Sequence, residues 1–294
     1  MKSIEGIRKG YPLIQKRFGK FTAYMQLIRP FTCLAPLIAG VLGVLSTVQV
    51  TFDSFLVATY VGLTLALAQA TGQITNQYAD FQLDKMIKPY RPIPSGLVSK
   101  EEALGIAWLL AIISIARAFT INTMFGLTVI VLIFFAVFYS ISPFSPRKIH
   151  PFLNIGWLAV SRGLIPLLAV WSIYGDWTKA LPYALLGFFW VLGFQGAKDV
   201  DDTEGDWSFG IKTIINSYGI AGLRALMICC GFIYIGICAT FSLYLLGLLP
   251  IIGGLSIYGL DKKSRFTENN YGWLFFYAGL GLLYILMFLT ETLF

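Results

Sequence analysis

Leu63-Thr-Leu-Ala-Leu-Ala-Gln-Ala-Thr-Gly-Gln-Ile-Thr-Asn76-Gln-Tyr-Ala-Asp80-Phe-Gln-Leu-Asp84 begins as an apolar segment and ends as a set of oxygen ligands. The apolar part belongs to a run over 54–79, longer than the ~20 residues that cross a bilayer. Gln69, Thr71, Gln73, Thr75 and Asn76 crowd its end. Polar groups at that depth face a bundle interior or a watery cavity rather than lipid. Asn76, Asp80 and Asp84 recur every fourth residue, which on a helix stacks an amide and two carboxylates on one face. Lys85, Lys88 and Arg91 follow, and Pro89, Pro92 and Pro94 stop the helix and stiffen the loop. Oxygens suited to a hard cation thus stand beside cations suited to an anion. A metal-bound phosphate or diphosphate is the economical ligand.

The rest of the chain is of the same kind. Hydrophobic residues make up 57% and charged residues only 13%, which excludes an ordinary soluble domain. Nine apolar runs recur, over 31–50, 54–79, 102–119, 121–141, 152–174, 180–200, 219–241, 243–260 and 271–290. Each is expected to be a transmembrane helix, because nothing in hydrocarbon satisfies an open backbone. The fold class is therefore all-α integral membrane. Residues 1–29 are basic and mildly amphipathic and are expected to lie on the membrane surface. Residues 30–294 are expected to form one multispan domain of two four-helix-like blocks plus a last helix.

The net charge of +7 raises nucleic acid as a partner, but its distribution argues for topology. With a cytoplasmic N-terminus, the connections after the second, fourth, sixth and eighth runs share that side. That side, run ends included, then carries every Lys and Arg except Arg117, Lys179 and Arg162. That asymmetry obeys the positive-inside rule and predicts a multi-pass protein of the cell membrane, with the N-terminus and the acidic stretches cytoplasmic. Its partners are then membrane lipid and an anionic substrate.

A second acidic stretch closes the sixth run: Lys198-Asp199-Val200-Asp201-Asp202-Thr203-Glu204-Gly205-Asp206, followed by Gly210-Ile211-Lys212-Thr213. Asp199, Asp202 and Asp206 share a helical face, whereas Asp201 and Glu204 point elsewhere. Gly205 and Gly210 predict a break into a loop, and Lys198 and Lys212 flank the acids. Seven of the 15 acidic residues lie in the two stretches. Their equal places in successive four-span blocks suggest an internal repeat. Four cysteines (Cys33, Cys229, Cys230, Cys238) fall in apolar runs and read as small buried hydrophobes. His150 reads as interfacial. Tyr139 stands at a boundary, Arg29 opens the first run as an anchor or an anion contact, and Arg162 is a charge inside the fifth run that reaches a substrate or a neighbour.

Two carboxylate clusters on one pocket can hold two or more Mg²⁺, each with one or two carboxylates beside phosphate oxygens and water. Such ions neutralise a departing diphosphate. An allylic cation left behind needs shelter from water and aromatic faces.

Asn76-x3-Asp80-x3-Asp84, the Lys-Pro-Tyr-Arg-Pro-Ile-Pro-Ser-Gly that follows, and Lys198-Asp199-x2-Asp202-x-Glu204-Gly205-Asp206 closely resemble the two signature motifs of the UbiA superfamily of intramembrane prenyltransferases. The resemblance covers about residues 25–290. It implies a helical bundle around a central cavity, capped on the cytoplasmic side by the motif loops. It also implies Mg²⁺-dependent transfer of a polyprenyl group from an isoprenyl diphosphate to a lipophilic or aromatic acceptor. By motif position, Asn76, Asp80 and Asp84 would serve one metal cluster, and Asp199, Asp202 and Asp206 the other. Lys85, Lys88, Arg91, Lys198 and Lys212, with Arg29 and Arg162, would hold the diphosphate, and Tyr139 matches a position near the reacting centre. The wording Arg-Pro-Ile-Pro-Ser-Gly and Glu-Gly-Asp resembles the archaeal ether-lipid and chlorophyll synthase branches, which implies a geranylgeranyl-length donor. A transporter or a lipid- or quinone-binding membrane protein is the alternative. A transporter, however, gathers its binding groups near the midplane, and a passive binder has no need of two acidic triads.

Overall fold

The computed structural model describes residues 19–141, 143–265 and 269–293; the expected surface helix over 1–18 lies outside the described residues. Among these, the regular elements are all helical. α1 (Gly19–Ile28) meets α2 (Pro30–Leu45) at a 53° bend. Pro30 bars its predecessor from right-handed helix. Arg29 instead adopts the left-handed region at φ 54°, a strain of about 1–2 kcal/mol for a residue with a Cβ. There follow α3 (Phe52–Ala79), α4 (Phe81–Ile87), α5 (Lys100–Phe119) and α6 (Thr123–Phe138). α7 (Pro151–Leu158) and α8 (Ile165–Tyr174) are one rod joined by a π turn over Ala159–Leu164. Pro166 has no N–H for the carbonyl four residues back, and its ring crowds that carbonyl. The rod absorbs both by widening locally. α9 (Trp177–Phe194) tightens into a 3-10 turn over Gln195–Val200 before α10 (Thr203–Ser208). α11 (Ile214–Thr240), α12 (Pro250–Gly259) and α13 (Tyr271–Leu293) complete the chain.

Each of the nine apolar runs contains a helix, but they differ in reach. Six are long and apolar enough to cross a membrane: α3, α5, the α7–α8 rod, α9 with its 3-10 end, α11 and α13. The bent α1–α2 pair makes a seventh if it counts as one span. α6 and the segment Leu246–Gly259 are apolar but shorter. At 1.5 Å per residue, the 16 residues of α6 rise about 24 Å, less than the ~30 Å of hydrocarbon. The chain is thus a multi-pass membrane protein.

Small residues set the packing. A Cβ on Gly40 of α2 would stand 2.5 Å from Cα of Gly62 on α3, and one on Gly163 of the π turn 2.3 Å from the carbonyl oxygen of Gly187 on α9. In each half of the chain, then, the first rod crosses the second backbone to backbone, as small residues permit between membrane helices. α11 turns Ile228, Phe232 and Ile235 outward, apolar side chains that suit lipid. Of the four free cysteines, Cys33, Cys230 and Cys238 are buried, whereas Cys229 is exposed on α11, so the expectation of burial fails for that one. His150 caps α7, accepting from the N–H of Phe152 at 3.3 Å.

The acidic stretches are not the continuous helical faces their spacing suggests. Asp80 is the joint between α3 and α4 (φ −87°, ψ 11°), and Asp202 is the joint before α10 (φ −105°, ψ 3°). Both lie in the sparsely allowed bridge region of backbone space. The two halves match further. Gln73, Asp80 and Asp84 have the same offsets as Gln195, Asp202 and Asp206, and the last member of each set is buried.

Candidate active site

A cavity of about 570 Å³ opens among α1–α4, α6, the α7–α8 rod, the 3-10 turn, α10 and α13. Every residue given a metal, diphosphate or reacting-centre role from the sequence lines it except Lys85 and Lys212. Lys85 is exposed on α4. Lys212 sends Nζ to the carbonyl of Ile149 at 3.0 Å, and only its main chain serves the site. Its N–H donates to the carbonyl of Arg147 at 2.7 Å, and its carbonyl accepts from Asn154 Nδ2 at 2.7 Å. Asp201 and Glu204 lie outside the lining, as their helical phase predicts.

The two motifs meet directly. Lys88, from the loop after α4, donates to Asp202 Oδ2 at 2.7 Å, and the short helices touch where Gly205 faces Ile87 and Leu83. Three more carboxylates are also held by cations. Asp84 pairs with Arg91, Asp199 with Lys198 at 2.8 Å, and Asp80 takes both Nη atoms of Arg147. Asn76 donates Nδ2 to Asp80 Oδ2 at 2.8 Å and to Ser140 Oγ at 3.0 Å, so a carbonyl oxygen is what it has left to offer. Among the described residues, no three carboxylate, imidazole or thiol groups stand together as an ion-binding cluster. Asp80, Asp84, Asp199 and Asp202 are each turned toward a base.

Arg147 is the residue that sequence reading missed. It is 4% exposed, and its guanidinium also lies 5.5 Å from the centre of the Tyr139 ring. The Tyr139 hydroxyl donates to Asn154 Oδ1 at 2.9 Å, so Tyr139, Asn154 and the Lys212 main chain form one line of hydrogen bonds. Deeper in, Arg29 reaches Gln73 Oε1 at 3.5 Å and Arg162 reaches Gln195 Oε1 at 3.3 Å. Phe31, Trp273 and Tyr277 form an aromatic wall, with ring centres 4.8–5.5 Å apart.

Electrostatics separates the acids. Burial, then the charges of Asp199, Asp202 and Asp80, push the Asp206 carboxyl up to about 7, against the pull of Lys198. Burial also acts to raise Asp202, but Lys88, with Arg91 and Lys198 behind it, outweighs burial and holds it below the ordinary carboxylate value. Asp84 Oδ2 is buried without a hydrogen-bond partner. An orphaned anionic oxygen in a cavity lined by neither Cys nor His suits a hard divalent cation with oxygen ligands.

Comparison with known proteins gives a family and a fold. The family description that matches this chain is the UbiA prenyltransferase family, over residues 31–280. The digeranylgeranylglyceryl phosphate synthase of Thermococcus kodakarensis is 31% identical over 199 residues, 66% of this chain and 68% of that one. The protein of the same description from Korarchaeum cryptofilum is 30% identical, with 69% of each chain covered. Among solved structures, a UbiA homolog from Archaeoglobus fulgidus bound to GPP and Mg²⁺ superimposes with a TM-score of 0.65 at 20% identity, covering 92% of this chain and 99% of that one. The apo UbiA homolog from Aeropyrum pernix gives 0.63 at 20% identity, covering 87% and 94%. At that identity the likeness is one of fold.

Proposed function

The chain belongs to the UbiA prenyltransferase family, and we propose that it transfers a geranylgeranyl-length prenyl group from its diphosphate to a glyceryl phosphate ether inside the membrane. The donor length and the acceptor rest on relatives named for digeranylgeranylglyceryl phosphate. Removing one prenyl group from that product leaves a geranylgeranylglyceryl phosphate as acceptor. One observation carries the reading: two acidic sets, one from each half of the chain, converge on a single cavity and are bridged by the Lys88–Asp202 pair.

Asn76, Asp80 and Asp84 would hold one Mg²⁺ cluster, and Asp199, Asp202 and Asp206 the other. Bound there, Mg²⁺ supplies Lewis-acid neutralisation of the diphosphate, worth several kcal/mol. Lys88, Arg91, Arg147 and Lys198 turn from the carboxylates to diphosphate oxygens. That exchange frees the acids and gives the leaving group charge-assisted hydrogen bonds. The allylic C–O bond breaks with its electron pair going to the diphosphate. Phe31, Trp273 and Tyr277 shield the resulting cation from water and face it with π electrons. The acceptor's hydroxyl oxygen closes the new C–O bond, and its proton passes to a diphosphate oxygen.

The wider organisation is part of the same proposal. All nine apolar helices span the membrane, with α6 and Leu246–Gly259 tilted least. The N-terminus, the acidic motifs and the cap of α4 and α10 face the cytoplasm, residues 1–29 form an interfacial segment, and 30–294 form one domain. The asymmetry of Lys and Arg supports this orientation.

The test is transfer by protein in nanodiscs. Labelled geranylgeranyl diphosphate and geranylgeranylglyceryl phosphate are expected to give a doubly prenylated product only with Mg²⁺. Absence of Mg²⁺-dependent product across donors of shorter, equal and greater length overturns the proposal.

A further inference from the structure

Asn270 stands at the start of α13, far along the chain from both acidic motifs, and the transfer steps above give it no part. It is 1% exposed, and both ends of its amide are engaged. Oδ1 accepts from the N–H of Trp273 at 2.9 Å and so caps α13. Nδ2 crosses to the second motif, donating to the carbonyl of Ala197 at 2.7 Å and to Asp201 Oδ2 at 3.3 Å. Chemistry fixes the orientation: only an oxygen takes the Trp273 N–H, and only the N–H₂ group serves a carbonyl.

The carbonyl that Asn270 holds lies where a helix changes form. α9 gives way there to the 3-10 turn over Gln195–Val200. An α-helix running on would bring the Ala197 carbonyl the N–H of Asp201, four residues later. That N–H turns instead to Asp199, and Asn270 supplies a donor from another helix. The turn aims residues of the site. Lys198 follows Ala197 and pairs with Asp199 at 2.8 Å, and Asp202, held by Lys88, comes just after. At the other end of the same amide, Trp273 belongs to the aromatic wall with Phe31 and Tyr277.

The hairpin of α12 and α13 that presents Asn270 is tightly closed. Lys263 and Asn270 form an antiparallel bridge, and the N–H of Tyr271 donates to the carbonyl of Lys262 at 2.8 Å. A Cβ on Gly272 would stand 2.6 Å from the carbonyl oxygen of Ser256, so the two helices meet backbone to backbone. Asn270 cannot shift without carrying α12 with it.

We infer that Asn270 is a positioning residue for prenyl transfer. Its amide holds the 3-10 turn so that Lys198, Asp199 and Asp202 meet the diphosphate at a fixed place relative to the aromatic wall. The diphosphate rests on the reading proposed above; the clamp between α13 and the turn does not.

Asn270→Ser and Asn270→Asp keep an oxygen to cap α13 and lose the bond to Ala197. Ser256→Ala is the control. It removes a buried hydrogen bond of the same hairpin, Oγ to the carbonyl of Gly272 at 2.7 Å, and leaves the turn untouched. In ligand-free protein in nanodiscs, the backbone amides of 198–202 are expected to exchange with deuterium at least about fivefold faster in both Asn270 variants. In Ser256→Ala they stay within about twofold of wild type. Affinity for geranylgeranyl diphosphate with Mg²⁺ follows the same division, falling at least about fivefold in the Asn270 variants alone. Unfolding midpoints drop in all three, so loss of stability by itself does not produce that division. Unchanged exchange over 198–202 in Asn270→Ser, or an equal change in Ser256→Ala, overturns the inference. So does faster exchange with donor affinity intact, where the wild type binds the donor. A wild type that binds no donor while the exchange difference is present keeps the clamp and refutes the diphosphate reading instead.

Discussion

Arg147→Met is the most informative single change. Its guanidinium and the Asp80 carboxylate are 5% and 12% exposed and share two hydrogen bonds. Removing the cation leaves a buried carboxylate with only Asn76 Nδ2 for company. Breaking a buried pair on one side costs about 3–5 kcal/mol, and this is the loss expected for Arg147→Met. Asp80→Asn alone strands the guanidinium, which also faces Tyr139 and has Nε buried without a partner, and a loss of similar size is expected. The double variant Asp80→Asn/Arg147→Met removes both charges. It should recover at least about 2 kcal/mol relative to the sum of the single losses, as close charge pairs do in double-mutant cycles. Equilibrium unfolding in mixed micelles, followed by tryptophan fluorescence, reads all four proteins. Transfer activity should vanish in all three variants, because Asp80 and Arg147 are both placed at the diphosphate. A stable Arg147→Met, or single losses that simply add, would refute the pairing. Retained activity in Arg147→Met would remove that residue from the leaving group.

Other outcomes follow from single features. Asp84→Asn keeps the volume but takes the negative charge from the orphaned oxygen, so the gain in geranylgeranyl diphosphate affinity on adding Mg²⁺ should fall at least about tenfold while the protein stays folded. Chelation of Mg²⁺ should lower donor affinity in the wild type by a larger factor than in that variant; equal factors would take Asp84 out of the metal site. Gly163→Val drives a side chain into the Gly187 carbonyl only 2.3 Å from its Cβ position, and a stability loss above about 2 kcal/mol is expected. An unchanged unfolding midpoint would contradict the close crossing. Lys85→Met and Lys212→Met should change donor KM by less than about twofold, since both ammonium groups lie outside the cavity lining.

Particular residues show what could be read from the chain alone. Asn76, Asp80 and Asp84 announced themselves because a spacing of four residues survives even where the helix breaks: the N–H of Asp80 still reaches the carbonyl of Asn76, and that of Asp84 the carbonyl of Asp80. The break itself left no mark, since neither glycine nor proline stands at Asp80. Lys85 and Lys212 misled because closeness along the chain to an acid is not closeness in space: a helix aims each residue by its phase. Arg147 stayed hidden for the opposite reason. It lies far along the chain from both acidic stretches, next to Lys148 in a loop where positive charge already had a topological explanation. Arg162 drew notice as a charge within an apolar run, and Pro166 four residues later is the visible trace of the π turn that aims it.

The paired acids and bases have a consequence for turnover. With Asp80, Asp84, Asp199 and Asp202 each set against an ammonium or guanidinium, these four charges are balanced in the resting cavity. A diphosphate arriving with its counter-ions is itself close to neutral, so entry is a change of partners and leaves no net charge stranded in a poorly polarisable interior. The same holds in reverse. When the diphosphate departs with its metal, each of these four bases finds its acid within reach, and the pairs close again without having to recruit ions from solution. Product release in such a site is a competition the protein enters with its own carboxylates.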